Sequence, residues 1–138
     1  MWATLQNPLA LAGRILLALL FISAGVDKLI GFEGSVAYAD SVGIPMPKVA
    51  VVLGLLVEIV GGLALLIGWG TRWAAIVLAL LVLATGFFLY SFWNAPAAQA
   101  GLQQVLFYKS LAVIGGLLAF VAFGPGSLSA DAHRTVAR

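Results

Sequence analysis

Glu58 is a carboxylate in a stretch that otherwise carries no charge. From Val49 to Trp69 the chain reads VAVVLGLLVEIVGGLALLIGW, long enough to cross a bilayer, with the acid near its centre. An isolated charge at that depth costs about 3 kcal/mol on insertion scales, so it needs a partner or a task. Arg14 and Lys109 lie inside two other apolar runs. At a rise of about 1.5 Å per residue, Arg14 sits roughly 7 Å to the terminal side of its span's centre, and Lys109 roughly 6 Å to the opposite side. Each side chain can cover about that distance, so both can reach towards Glu58 from opposite leaflets. Arg offers a fork of donors and Lys a compact charge, and either favours an ionised carboxylate. The alternatives are a protonated, unpaired Glu58, and cations that snorkel to the nearer headgroups. Arg14, Glu58 and Lys109 are the candidate ligand-binding set, with Glu58 as a catalytic proton relay. Asp27 and Lys28, at the far end of the first span, read as solvated interface charges.

The elements that must position these groups follow from composition and length. Of 138 residues, 63% are hydrophobic and 9% charged, and the mean hydropathy is +1.13, outside the range of soluble domains. Four segments reach the length of about 20 apolar residues that a spanning helix needs: about 9–26, 49–69, 73–92 and 105–123. The expected fold is an all-α membrane protein, a four-transmembrane-helix bundle forming one domain over residues 1–138. Gly70-Thr71-Arg72 is a tight turn, which makes spans two and three antiparallel neighbours. The linker 94–104 is short and polar, with Pro96 breaking any continued helix. In the longer linker 27–48, Phe32, Val36, Ala39 and Gly43 recur at helical spacing, which predicts a short interfacial helix over Glu33 to Ser41. Ile44-Pro45-Met46-Pro47 predicts an extended entry into span two. Ile15 to Ile22 followed by Ser23-Ala24-Gly25 imitates a signal peptide. No Lys or Arg precedes Pro8, however, and Arg14 interrupts the run, so it reads as a span.

Four spans place both termini on one side. Arg14, Arg72, Arg134 and Arg138 lie there against Lys28, Lys48 and Lys109 opposite, a balance that favours cytoplasmic termini. Ile15 to Gly25 lines up with Ile76 to Gly86, and Gly61 to Gly70 with Gly115 to Gly124. Two hairpins of like orientation would then relate by an axis along the membrane normal, with Glu58 aligned to Ala112. Gly54, Gly61, Gly62, Gly68, Gly115 and Gly116 read first as sites of close helix packing. Trp69, Trp73, Tyr90, Phe92 and Trp93 read as an interfacial belt. The formal charge of +2, from few ionisable groups, gives no nucleic-acid surface. There is no cysteine and the only histidine is His133, in the polar tail. The sequence therefore offers no bis-His haem, no iron–sulfur cluster and no metal site of imidazole or thiolate type.

Around the charged residues the chain resembles the DoxX family of small bacterial membrane proteins. The resemblance is carried by Arg14 with Phe21-Ile-Ser-Ala-Gly25 and Lys28-Leu29, by Gly43-Ile-Pro45-Met-Pro47, and by Glu58 with Gly61-Gly62. Gly68-Trp-Gly-Thr71-Arg72, Phe107-Tyr-Lys109-Ser and Gly124-Pro-Gly-Ser-Leu-Ser129 complete it. It covers residues 8 to 131, and implies four transmembrane helices in a bacterial inner membrane with the family's Arg, Glu and Lys carried by Arg14, Glu58 and Lys109. It also implies association with membrane redox systems, including the small subunits of a thiosulfate:quinone oxidoreductase and a complex handling oxidative stress. Many relatives have a His before the aromatic-Trp pair that ends span three. Here the stretch is Leu89-Tyr-Ser-Phe-Trp93, so a role for that His does not transfer.

Three functions follow. The first is a quinone-interacting or anchoring subunit of a membrane oxidoreductase. A quinone fits as the cofactor because it is membrane-soluble and its carbonyl oxygens accept hydrogen bonds from Arg or Lys. Electrons would then come from a redox partner protein. The second is a small proton-coupled carrier, which with four spans needs a homo-oligomer for alternating access. The third is a structural membrane module, in which the charges lock helix register within the lipid bilayer.

Overall fold

The computed structural model describes residues 1–136, so Arg138 of the charge balance lies outside the described residues. Among the described residues six α-helices follow in order: α1 (Trp2–Ile30), α2 (Phe32–Ser41), α3 (Pro47–Ile67), α4 (Thr71–Leu89), α5 (Ala97–Phe123) and α6 (Ala130–Val136). A 3-10 turn at Phe92–Asn94 joins α4 to α5. Among the described residues, four helical segments are long and apolar enough to span a membrane, containing α1, α3, α4 and α5. Large apolar side chains in mid-helix, such as Leu16, Leu19, Val60 and Leu80, point outwards. In water this would be a large aggregation-prone surface; in a bilayer it is the lipid contact.

The helices outrun the expected spans. α1 continues through Asp27 and Lys28 to Ile30, and passes Pro8 without ending. α5 begins at Ala97, so most of the linker 94–104 is helix rather than loop. Pro96 stands at its N-cap, where a missing N–H removes no hydrogen bond from the helix. α2 forms one residue earlier than its spacing predicts. Its Ala39 is buried, with Phe32 and Val36 partly buried against Val51 and Leu55 of α3. Gly43 instead takes a left-handed turn (φ +84°), beyond the helix. The entry into α3 is not extended, because Met46 adopts φ 47°, ψ 64°. The residue before a proline is disfavoured in the right-handed helical region, and here it turns left-handed at a cost of about 1–2 kcal/mol.

α1 packs on α3, α3 on α4 and α4 on α5. The main core lies towards the end carrying the chain termini (the terminal end), where Ala18, Phe21, Leu65, Ala75, Leu78, Ala79 and Leu117 are buried together. There α5 closes against α1: a Cβ on Gly13 would lie 3.2 Å from the Phe120 ring. A smaller core of Ala39, Val51 and Leu55 holds α2 at the other, outer end. Of the packing glycines, Gly61 and Gly62 hold Leu78 and Ile22 against their backbones. Gly54 and Gly115 have open space where a Cβ would go, so close packing does not account for them. Phe92 and Trp93 do more than mark the interface. Their rings lie 5.7 and 5.5 Å from that of Phe107, tying the 3-10 turn to α5.

Candidate functional site

Glu58 finds its counter-charge in Lys28. The Lys28 Nζ donates to both carboxylate oxygens, each at 2.9 Å, with 27% of the Lys28 side chain and 9% of the Glu58 side chain exposed. Gly25 makes this contact possible. A Cβ there would lie 2.6 Å from Ile59 Cγ1 and 3.3 Å from Glu58 Cβ, so α1 can approach α3 this closely only without a side chain. Helical side chains lean towards their own N-terminus. α1 and α3 are antiparallel, so Lys28 leans inwards from the outer end and Glu58 leans outwards to meet it. Two expectations are corrected here: Lys28 is not a solvated interface charge, and Arg14 is not the partner of Glu58. The reason is register. Gly25, level with Glu58, lies eleven residues beyond Arg14, about 16 Å of helix, and Arg14 leans the other way.

Beside the ion pair, α1, α4 and α5 part to leave a cavity of about 290 Å³. Lys28, Glu58, Thr85, Tyr90, Lys109 and Ser110 supply its polar lining, and Phe21, Val82, Leu89 and Val113 are among its apolar walls. Lys109 thus shares a space with Glu58 but makes no ion pair with it: among the described residues the Glu58 carboxylate is bonded to Lys28. Lys28 alone compensates the carboxylate, and the exposed Lys109 lines the same cavity without a carboxylate partner among the described residues. Tyr90, read from sequence as part of a belt, belongs to this cavity. Its position one residue past α4 was legible; its proximity to Glu58 was not. Gly86 faces Phe107 and Ser110 much as Gly25 faces Leu55 and Glu58, so by contact Ser110, not the Ala112 of the sequence alignment, is the counterpart of Glu58.

Arg14 serves the terminal end. It is fully buried, and its guanidinium donates to the carbonyl oxygens of Leu65 at 3.0 Å and Leu66 at 3.2 Å, and to that of Leu128. Leu65 and Leu66 are in the last turn of α3, whose carbonyls have no donor within the helix, and a cation is favoured there by the helix dipole. Gly68, at φ +77°, clears the space: a Cβ would lie 2.5 Å from Arg14 Nη1 and 2.4 Å from Ser129 Cβ. Asp131 does the converse for α4. Its carboxylate accepts the backbone N–H groups of Gly70 at 2.8 Å and Thr71 at 2.9 Å, donors that the start of α4 leaves unpaired. The segment after α5 therefore clasps the α3–α4 turn from outside the spans.

Burial alone would raise the Asp131 carboxyl, but the N–H groups of Thr71 and Gly70 and the nearby Arg134 outweigh it and hold it below its ordinary value. A depressed carboxyl contributes stability above its unfolded-state value, and this is lost as pH falls through the folded-state one. In detergent, the protein should therefore exceed its Asp131→Asn variant in thermal stability at neutral pH. The difference should shrink below about pH 4. A gap unchanged between pH 7 and pH 3 would refute the assignment.

The model of the DoxX family matches residues 9–91. The inner membrane protein YphA of Escherichia coli is 31% identical over 89% of this chain and 88% of its own. Inner membrane protein YqjF of the same organism is 35% identical over 92% of each. A Surfeit locus protein 4 homolog of Drosophila melanogaster is 34% identical over 94% of this chain but only 42% of its own length. No solved structure matches. The family match takes in Arg14, Lys28 and Glu58 and ends before α5, which carries Lys109.

Proposed function

Because this chain belongs to the DoxX family, we propose that it is a quinone-interacting or anchoring subunit of a membrane redox system, with the outer cavity as its quinone site. The observation that carries the reading is Lys109, which has no carboxylate partner among the described residues and lines a cavity within the spans together with the Lys28–Glu58 pair. The cavity fits a quinone ring: its volume is near the lower bound of ligand pockets, and Lys109 and Tyr90 can both donate to a carbonyl oxygen. The quinone supplies two-electron chemistry when bound, with the electrons coming from a partner protein. Lys109 orients a ring oxygen by a charge-assisted hydrogen bond. Glu58, bonded to Lys28 at the cavity wall, would relay protons one at a time from solvent to a bound ring, which needs two for its two electrons. Arg14, the third member of the expected set, acts at the terminal end as a structural anchor in this proposal. The relatives' names support an inner-membrane location, and the charge balance supports cytoplasmic termini, which a reporter fused to the C-terminus would check.

The test is a titration of the purified protein with a short-chain benzoquinone, by calorimetry or tryptophan quenching. A hydrogen bond to a charged group is worth about 1.5–3 kcal/mol, so Lys109→Leu should weaken binding by roughly 10- to 100-fold. If the unaltered protein binds no quinone and no redox protein co-purifies with it, the proposal fails.

A further inference from the structure

The cavity beside Glu58 has room for a ring but little for the hydrocarbon chain of a membrane quinone, at about 290 Å³. A second cavity of about 250 Å³ lies among α2, α3 and α4. Lys28, Thr85 and Leu89 line both, so the two spaces are neighbours with these three side chains between them. The second space differs in chemistry from the first. Ala39, Ile44, Val51, Leu81 and Phe88 make most of its wall, and α2 covers it, anchored by Ala39 against Val51 and Leu55. Among the described residues Lys28 is its one charged lining group, with Ser35, Tyr38 and Thr85 contributing hydroxyls. An apolar space of this kind has too few polar partners to hold ordered water, and suits a hydrocarbon.

We infer that the second cavity holds the hydrocarbon chain of the ligand whose head group lies beside Lys109 and Glu58, so that the ligand is an isoprenoid or alkyl quinone bent at Lys28, Thr85 and Leu89. The inference rests on the first cavity's being the head-group site. A chain leaving the bilayer for this space gains little from the hydrophobic effect, because lipid is already apolar. What it gains is close dispersion contact with a concave wall that lipid tails passing the open side fill less well. The half-open groove therefore selects chain shape and directs the ring towards Lys109.

Two analogues separate this inference from the reading beneath it: a benzoquinone without a side chain, and the same ring with a ten-carbon chain. Ala84 lines the second cavity and not the first, and it is exposed, so Ala84→Leu fills the space without disturbing the core. The substitution should weaken the chain-bearing analogue about tenfold, or 1.4 kcal/mol, and leave the chainless one unchanged. A diazirine at the chain's end should label Tyr38, Ala39 or Ile44 in the unaltered protein. If both analogues bind the variant as before, or the label falls on the lipid face of α1 or α5, the chain lies elsewhere and only this inference is overturned. If neither analogue binds the unaltered protein, the head-group reading is overturned and this inference with it.

Discussion

Replacing Arg14 by lysine is expected to cost at least about 4 kcal/mol and to prevent the terminal end of the bundle from closing. The guanidinium spans two directions at once, with Nη1 on the Leu65 and Leu66 carbonyls and Nη2 on that of Leu128. Hydrogen bonds to a charged group contribute about 1.5–3 kcal/mol each, and a buried carbonyl left unpaired costs about 1–3 kcal/mol. A lysine brings one ammonium on a narrower stem and cannot hold both the end of α3 and the segment before α6. Arg14 is also completely buried, so removing its planar head leaves a void against Gly68 and Ser129. Folded yield in mild detergent and the midpoint of thermal unfolding are the measurements. An Arg14→Lys variant within about 1 kcal/mol of the unaltered protein would contradict the anchoring role.

Glu58→Leu is expected to be the second most damaging change, at about 3 kcal/mol, and it can be largely reversed. Breaking a buried pair by removing one partner costs about 3–5 kcal/mol, because the other charge is left without compensation. Lys28 is 27% exposed, so its ammonium can turn towards the interface and the lower end of that range applies. Adding Lys28→Met removes the stranded charge. The double variant should recover most of the lost stability, since apolar side chains replace a buried pair at little cost. Its quinone affinity should not recover, because Lys28 and Glu58 both line the head-group cavity and the double variant removes their polar groups from it. Thermal unfolding and quinone titration on the two variants separate the two roles. Full recovery of both stability and binding in the double variant would assign the pair a purely structural part.

Much of the fold was readable from the residues. Runs of some 20 apolar side chains have one physical outcome, because unpaired backbone groups cannot be left in lipid. The interfacial helix was readable too, from Phe32, Val36 and Ala39 at helical spacing. The helix ends were less so. Asp27 and Lys28 look like the edge of a span by polarity, yet α1 carries them to Ile30 because Lys28 meets its counter-charge on α3. Ala97 to Gln104 looks like a loop by polarity, and is the first part of α5.

The candidate site was half legible. Glu58 was evident, since a mid-span carboxylate has no innocuous reading. Its partner was not, because span centres are a poor guide to which levels of two helices meet. One signal was available: side chains lean towards the N-terminus of their own helix. That rule turns Arg14 away from Glu58 and Lys28 towards it. The remaining choice depended on Gly25, whose missing Cβ sets how deep α1 beds into α3.

The sequence by itself determined that this chain is a four-span membrane protein of the DoxX family with a carboxylate that demands company. Apolar length and family motifs are local properties, and neither depends on how the helices meet. Only the tertiary structure decided which cation answers Glu58, that Arg14 caps the end of α3, and that Lys109 is left facing a cavity with Tyr90. Those outcomes depend on the register and depth of packing between antiparallel helices. Contacts among residues far apart in the chain, at Gly25 and Gly68 above all, set both.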